Sequence, residues 1–478
     1  MRFVARSNGN AWLLFRVEEL HMLLDGFGSC SGHVGVGGEW HAVAGSHTSV
    51  APKSPRGRSG GPGKLHFWQT LGPGLITGAA DDDPSGIATY AQAGAQYGFG
   101  LAWTLVLAYP LMVAIQAICA RIGRTTGRGI AGNLREHYPA WTVSGIVVLL
   151  VIANVLNIGA DLGAMAESLR LLLRVPAWLA VLLFGSITAG GQIFLKHTRY
   201  VALLKWLTLS LFAYFGTLAT VRIPWGDLAR GLLWPRVSFD QGFWLMVVAI
   251  LGTTISPYLF FWQAGQEVED TKSEPSRQPL LRQPKQATRA LARIRLDTLI
   301  GMGFSNLVSL AIMVASAATL HGHGRATIET AAQAATALRP LAGDSAFVLF
   351  ALGIIGTGLI SVPVLAGSAG YALGEARHWQ VGFSRAPSRA KAFYASIAVA
   401  TLLGALGNLL RISPMKALIW AAVINGIVSV PVMAIVMLVG ARKSIMGKFR
   451  ISLRLKLTGW AATAVMAIAS AFFLYASL

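Results

Sequence analysis

Eleven apolar runs of about 18 residues or more recur along the chain, each long enough to cross roughly 30 Å of hydrocarbon as a helix. They cover residues 73–95, 100–120, 142–166, 176–194, 200–221, 241–264, 297–320, 345–373, 392–410, 416–440 and 457–476. A bilayer core offers no water to unpaired backbone groups, so runs of this length are expected to be helical, and the expected fold is an all-α membrane protein. A soluble chain of 478 residues, 54% hydrophobic and 13% charged, would have too little polar surface to cover itself.

The net charge of +20 raises the question of a nucleic-acid partner. The placement of the charge answers it. Of the 40 Lys and Arg residues, 31 fall in the N-terminal region and on alternate connections, and 9 fall on the other connections. That bias is the positive-inside pattern of a multi-pass protein of the inner (plasma) membrane, with a cytoplasmic N-terminus and the C-terminus outside. The basic loops then face anionic headgroups, and no nucleic acid is implied. Cys30 and Cys119 form neither a disulfide framework nor a metal cluster.

Residues 1–64 are rich in Gly, Ser and His and lack a long apolar stretch, which predicts a disordered cytoplasmic extension ahead of a transporter domain at 65–478. The charged, Pro-containing stretch 266–296 reads as a cytoplasmic linker inside that domain. A first repeat is expected at 73–221, a second at 241–440, and an extra helix at 457–476.

The first and sixth apolar segments each carry an interruption. One is Asp81-Asp82-Asp83-Pro84-Ser85-Gly86; the other is Gly252-Thr253-Thr254-Ile255-Ser256-Pro257-Tyr258. Proline removes a backbone donor and clashes with the preceding turn, so both helices should break near mid-membrane. Matching breaks in two halves of a transporter point to its binding site. Inverted five-helix repeats would bring the two unwound stretches face to face, with carbonyls and half-helix ends open to an ion. Each carboxylate in an apolar span costs about 3 kcal/mol, which an ion would offset. Successive helical residues point about 100° apart, so the three aspartates cannot share one small site. Asp83, beside the break and the hydroxyl of Ser85, is the expected ligand, and it can also cap the second half-helix. Asp81 and Asp82 are left to a water-filled vestibule or a proton path.

The stretches LGPGLITGAADDDPSGIATYAQAGAQYGFG (71–100), ARIGRTTGRGIAGNLREHYP (120–139) and GTTISPYLFFWQ (252–263) resemble the Nramp family of divalent metal transporters, whose first-helix signature is DPGN. The resemblance runs from residue 71 to the end in helix number and order. It implies a LeuT-like 5+5 inverted repeat with helices one and six broken, and alternating access to a mid-membrane metal. In metal-selective members the site looks like Asp and Asn from helix one with a Met and a backbone carbonyl from helix six. Here Asp83 matches the Asp, Gly86 stands for the Asn, Ser256 for the Met, and Thr253 occupies the carbonyl position. Sulfur favours soft metals, whereas carboxylate, hydroxyl and carbonyl oxygens suit magnesium, calcium and manganese. The pattern is thus similar to the Nramp-related magnesium transporters. Proton coupling in the family is associated with a helix-six His, replaced here by Tyr258, and with an Asp and Glu on helix three. There Asp161 persists, with Asn157 as a polar neighbour, and Ala164 replaces the Glu. Asn425 on the tenth segment is a further candidate for the pathway.

The expected function is Mg²⁺ uptake, with Mn²⁺ admitted, without strict proton coupling. A proton-coupled Mn²⁺ or Fe²⁺ symporter is the alternative, followed by a non-transporting membrane metal sensor and an organic-substrate symporter of the same fold. His321 and His323 are expected to be solvated, as is the acidic end of segment six, Glu267, Glu269 and Asp270. Nothing resembles an enzyme's constellation, so no cofactor and no obligate protein partner is implied beyond the transported cation and the bilayer.

Overall fold

The computed structural model describes residues 77–478 apart from 79, 195–211, 275, 324–326 and 411. The N-terminal extension expected at 1–64 lies outside the described residues, all of which belong to the compact unit His66–Leu478. Among the described residues all regular structure is helical. The principal helices are α1 (Pro84–Tyr97), α2 (Ala102–Thr126), α3 (Ile130–His137), α4 (Ala140–Leu172), α5 (Ala177–Phe194), α6 (Phe212–Thr220) and α7 (Trp225–Leu233). They continue with α8 (Gln241–Thr254), α9 (Pro257–Ser273), α10 (Ala287–Thr319), α11 (Ala346–Ala376), α12 (Lys391–Gly407), α13 (Pro414–Ala441) and α14 (Leu453–Ala476).

Nine spans among the described residues are long and apolar enough to cross a membrane, with α8 and α9 counted together. They coincide with nine of the eleven expected segments. The first and fifth begin among residues outside the description, and α1 and α6 are their described parts. The outward faces of these helices carry large apolar side chains such as Leu149, Ile152, Leu182 and Leu402, as contact with lipid requires.

The helices form two groups. α4, α5, α11 and α12 pack on one another; in the other group α1 and α2 each pack on α8 and α10, and α9 packs on α2 and also reaches across to α11. α13 touches both groups, lying against α4 on one side and α1, α2 and α8 on the other. Between α8 and α13 the backbones meet directly. A β-carbon on Gly252 would lie 2.1 Å from the carbonyl oxygen of Ala422 and 2.5 Å from the amide nitrogen of Gly426. Gly252→Ala should therefore destabilise the protein by about 1–3 kcal/mol or more through overpacking, read as a lower melting temperature of the purified protein. An unchanged melting temperature would mean that α8 and α13 are not held this closely.

Proline alone does not set where helices stop. Pro110, Pro363 and Pro431 lie inside the continuous helices α2, α11 and α13. Pro84 and Pro257 instead open new helices at the first turn, where a missing N–H costs nothing. The residues before them differ: Asp83 and Ser256 are cap formers, whereas Tyr109, Val362 and Val430 are not. Asp83 is the N-cap of α1, in extended conformation, with its side chain accepting from the Gly86 amide.

Candidate metal centre

Asp83 sits where the first segment resumes as α1, 1% exposed. Its Oδ1 accepts from the Gly86 amide at 2.7 Å and from the Ser85 hydroxyl at 2.7 Å, and the Thr253 hydroxyl of α8 stands at 3.5 Å. The Ser85 and Thr253 hydroxyls are 3.4 Å apart. Its Oδ2 accepts from Nδ2 of Asn157 on α4 at 3.0 Å. Asp83 thus joins α1 and α8 of one group to α4 of the other. Among the described residues no Lys, Arg or His pairs with it, and its hydrogen-bond partners are all neutral groups.

Opposite it, the gap between α8 and α9 is held open by side chains. The Ser256 hydroxyl contacts the carbonyl oxygens of Gly252 at 2.7 Å and Thr253 at 2.8 Å. Ser429 of α13 donates to the Ile255 carbonyl at 2.7 Å. The Tyr258 hydroxyl donates to the carbonyl of Ala80, in the short helical stretch before the first break, at 2.9 Å. Carbonyls that lose their intrahelical partners must find others when buried, and these hydroxyls supply them. Tyr258 thus ties one broken segment to the other.

The three aspartates divide. Asp81 and Asp82 turn toward α10, where the Ser305 hydroxyl lies 2.6 Å from Oδ2 of Asp81 and 3.1 Å from Oδ1 of Asp82. Ser309 is 3.5 Å from the same oxygen of Asp82. Both aspartates are buried and held by serines of α10, whereas Asp83 is bonded to Asn157 of α4. Asp161 is also buried, and its Oδ2 accepts from Ser361 of α11 at 2.8 Å. Asn157 and Asp161 are one turn apart on α4, so the same helix face carries both. Asn157 thus pairs with Asp83 and Asp161 with Ser361. Asn425 is buried with neither amide atom hydrogen-bonded among the described residues, one turn before Ser429 on α13.

Sequence reasoning missed Ser305, Ser361 and Ser429 as partners; the only signal was a small hydroxyl on an apolar helix. It also misplaced Glu267. That side chain is fully buried and ion-paired with Arg293 of α10 at 2.6 Å, not solvated. Asp270 pairs with Arg277 at 2.6 Å and Arg293 at 3.2 Å. Glu269 accepts from the Phe383 and Ser384 amides at 2.7 and 3.0 Å. His321 is bonded to the Ala95 carbonyl at 2.9 Å. Among the described residues no three His, Cys, Asp or Glu side chains converge as a metal-binding group. An ion at the breaks would therefore be held by one carboxylate and by hydroxyl, amide and carbonyl oxygens.

The profile of the Nramp family, described as natural resistance-associated macrophage protein-like, matches residues 74–476. The chain belongs to the Nramp family. A divalent metal cation transporter, MntH, of Yersinia enterocolitica is 31% identical over 303 residues, covering 62% of this chain and 69% of the relative. The MntH of Ralstonia nicotianae is 29% identical over 322 residues, covering 64% and 70%. Among solved structures, the Eremococcus coleocola manganese transporter in complex with an aromatic bis-isothiourea compound superposes with a TM-score of 0.69 at 16% identity over 87% of both chains. Mhp1, a nucleobase-cation-symport-1 family transporter, superposes with a TM-score of 0.55 at 15% identity over 86% of this chain and 90% of its own. The Nramp chain thus has the multi-span all-α fold of LeuT-like transporters, and it belongs with transporters, not enzymes.

Proposed function

We propose that this Nramp protein carries a divalent metal cation across the bilayer by alternating access, with Asp83 as the charged ligand. The observation that carries the proposal is a buried carboxylate without a cationic partner, set where two membrane segments are interrupted and joining both helix groups. Ser85, Thr253 and Ser256 would add hydroxyl or carbonyl oxygens. Gly86 contributes its lack of a side chain: a β-carbon there would lie 3.2 Å from the Thr253 hydroxyl. The two-group packing supports the 5+5 repeat, because α1–α2 and α8–α10 fall in one group while α4–α5 and α11–α12 fall in the other. The charge bias supports a cytoplasmic N-terminus and an external C-terminus.

The names of the relatives, divalent metal cation transporters and a manganese transporter, weigh toward manganese more than magnesium. An all-oxygen ligand set suits both ions. We therefore take Mn²⁺ as a cargo and Mg²⁺ as a competitor able to use the same site. Uncoupled transport is supported by Tyr258 acting as a tether. Proton coupling is the second reading, favoured by Asp161 one turn from Asn157.

Reconstituted protein should take up Mn²⁺ saturably, with Mg²⁺ competing. Indifference to a large excess of Mg²⁺ would overturn the oxygen-site reading. A pH dye in the lumen decides coupling, since acidification that accompanies uptake supports the symporter and rejects uniport. Metal binding without flux would replace both with a sensor.

A further inference from the structure

The end of the bundle where α2, α9 and α11 finish holds a cavity of about 230 Å³, away from the helix breaks. Arg128, Arg135, Lys272, Glu375, His378 and Trp379 line it. The one carboxylate in this set is already engaged. Glu375 Oε1 accepts from the Gly129 amide at 2.9 Å and Oε2 from the Gly132 amide at 3.0 Å, so it caps the start of α3. Arg135 donates to the Glu375 carbonyl and Arg128 pairs with Glu136, both through one guanidinium nitrogen, NH1. Lys272 makes no ion pair among the described residues. Arg, Lys and indole groups donate hydrogen bonds and cannot accept them. The cavity is therefore donor-rich, with an excess of positive charge.

A second observation points the same way. His378, just past the end of α11, has φ of 61°, the left-handed region. The Trp379 amide closes the turn on the Gly374 carbonyl at 2.8 Å. Glycine is the usual residue at such a helix end, since it bears no β-carbon. A histidine there, an uncommon position for any residue with a β-carbon, places an imidazole at the cavity.

We propose that this cavity binds an anion bearing a phosphate group, whose several acceptor oxygens match the convergent donors. Lys272 extends from α9 of one helix group, while Glu375 and His378 belong to α11 and its end in the other. A bound phosphate would bridge the seam that alternating access must open and close, and so would favour one conformation. The phosphate could belong to a lipid headgroup or to a soluble phosphate, and the test separates them.

The full chain would be melted in phosphatidylcholine nanodiscs alone, in nanodiscs with added phosphatidic acid, and in phosphatidylcholine nanodiscs with inorganic phosphate. Wild type should gain several degrees in one anionic arm, and the arm that responds names the source. Lys272→Ala and Arg128→Ala should each weaken the response roughly tenfold in anion concentration. His378→Gly should melt higher than wild type without anion, because the strained turn is relieved, yet gain less from it. No gain in either arm, or an equal gain in wild type and all three variants, would overturn the site in favour of general surface attraction.

Discussion

Asp83→Asn should reduce divalent-cation uptake by roughly a hundredfold or more while the protein remains folded. Leaving a buried charge without its partner costs about 3–5 kcal/mol, and each 1.4 kcal/mol is about a factor of ten in affinity. Asparagine preserves what the side chain does for the fold. It is as good an N-cap as aspartate, so its oxygen can still accept from the Gly86 amide. Its new NH₂ group, at the Oδ2 position, faces Nδ2 of Asn157, so the Asn157 amide must flip to present Oδ1, which makes no hydrogen bond among the described residues. Asp83→Ala lacks both substitutes. It would leave the Gly86 amide and the Asn157 amide without this acceptor in a buried place, and its melting temperature should fall by an amount matching at least the loss of a cap, about 1 kcal/mol. The two variants together separate the ligand from the cap. Equal loss of transport with unequal loss of stability is the expected result. Wild-type flux in Asp83→Asn would remove the carboxylate from the transport path.

Much of this was legible in the sequence because membrane helices advertise themselves by length and breaks by their caps. Asp83-Pro84 and Ser256-Pro257 pair a residue type common at caps with one suited to the first helical turn, and both open helices, although only Asp83 caps with its side chain while the Ser256 hydroxyl turns back to the Gly252 and Thr253 carbonyls. Val362-Pro363 and Val430-Pro431 have no such cap former, and the helices continue through them. The cargo-sized details were not legible, because they depend on partners distant in the chain. Asn157 reaches Asp83 across 74 positions, and Ser305 reaches Asp81 across 224. The buried pair Glu267–Arg293 was misread as a solvated end for a related reason. The polar linker folds back on α2, where Arg124 donates to the carbonyl of Gln278 at 2.8 Å and to the amide oxygen of Gln286 at 2.8 Å, covering what a charged, Pro-containing stretch suggests is open.

Ser256→Met should shift the balance of competing cations toward soft metals by about tenfold or more, at a cost in stability. In the native protein the Ser256 hydroxyl occupies the carbonyl oxygens of Gly252 and Thr253. Methionine has no hydrogen to donate, so both carbonyls lose this partner, a destabilisation of about 1–3 kcal/mol if they remain buried and unpaired. The same loss frees the Thr253 carbonyl toward an ion while the thioether brings a soft donor to the break. Sulfur binds Cd²⁺ in preference to Mg²⁺, whereas the native oxygen set has no such preference. Competition against Mn²⁺ uptake measures this directly: the concentration of Cd²⁺ needed for half inhibition should fall relative to that of Mg²⁺. Ser256→Ala is the control, because it removes the same hydroxyl donor from the two carbonyls without adding sulfur. If alanine and methionine give the same ratio, the hydroxyl serves only to hold the gap between α8 and α9, and the ion rests on the Asp83 side of the seam without a ligand from residue 256.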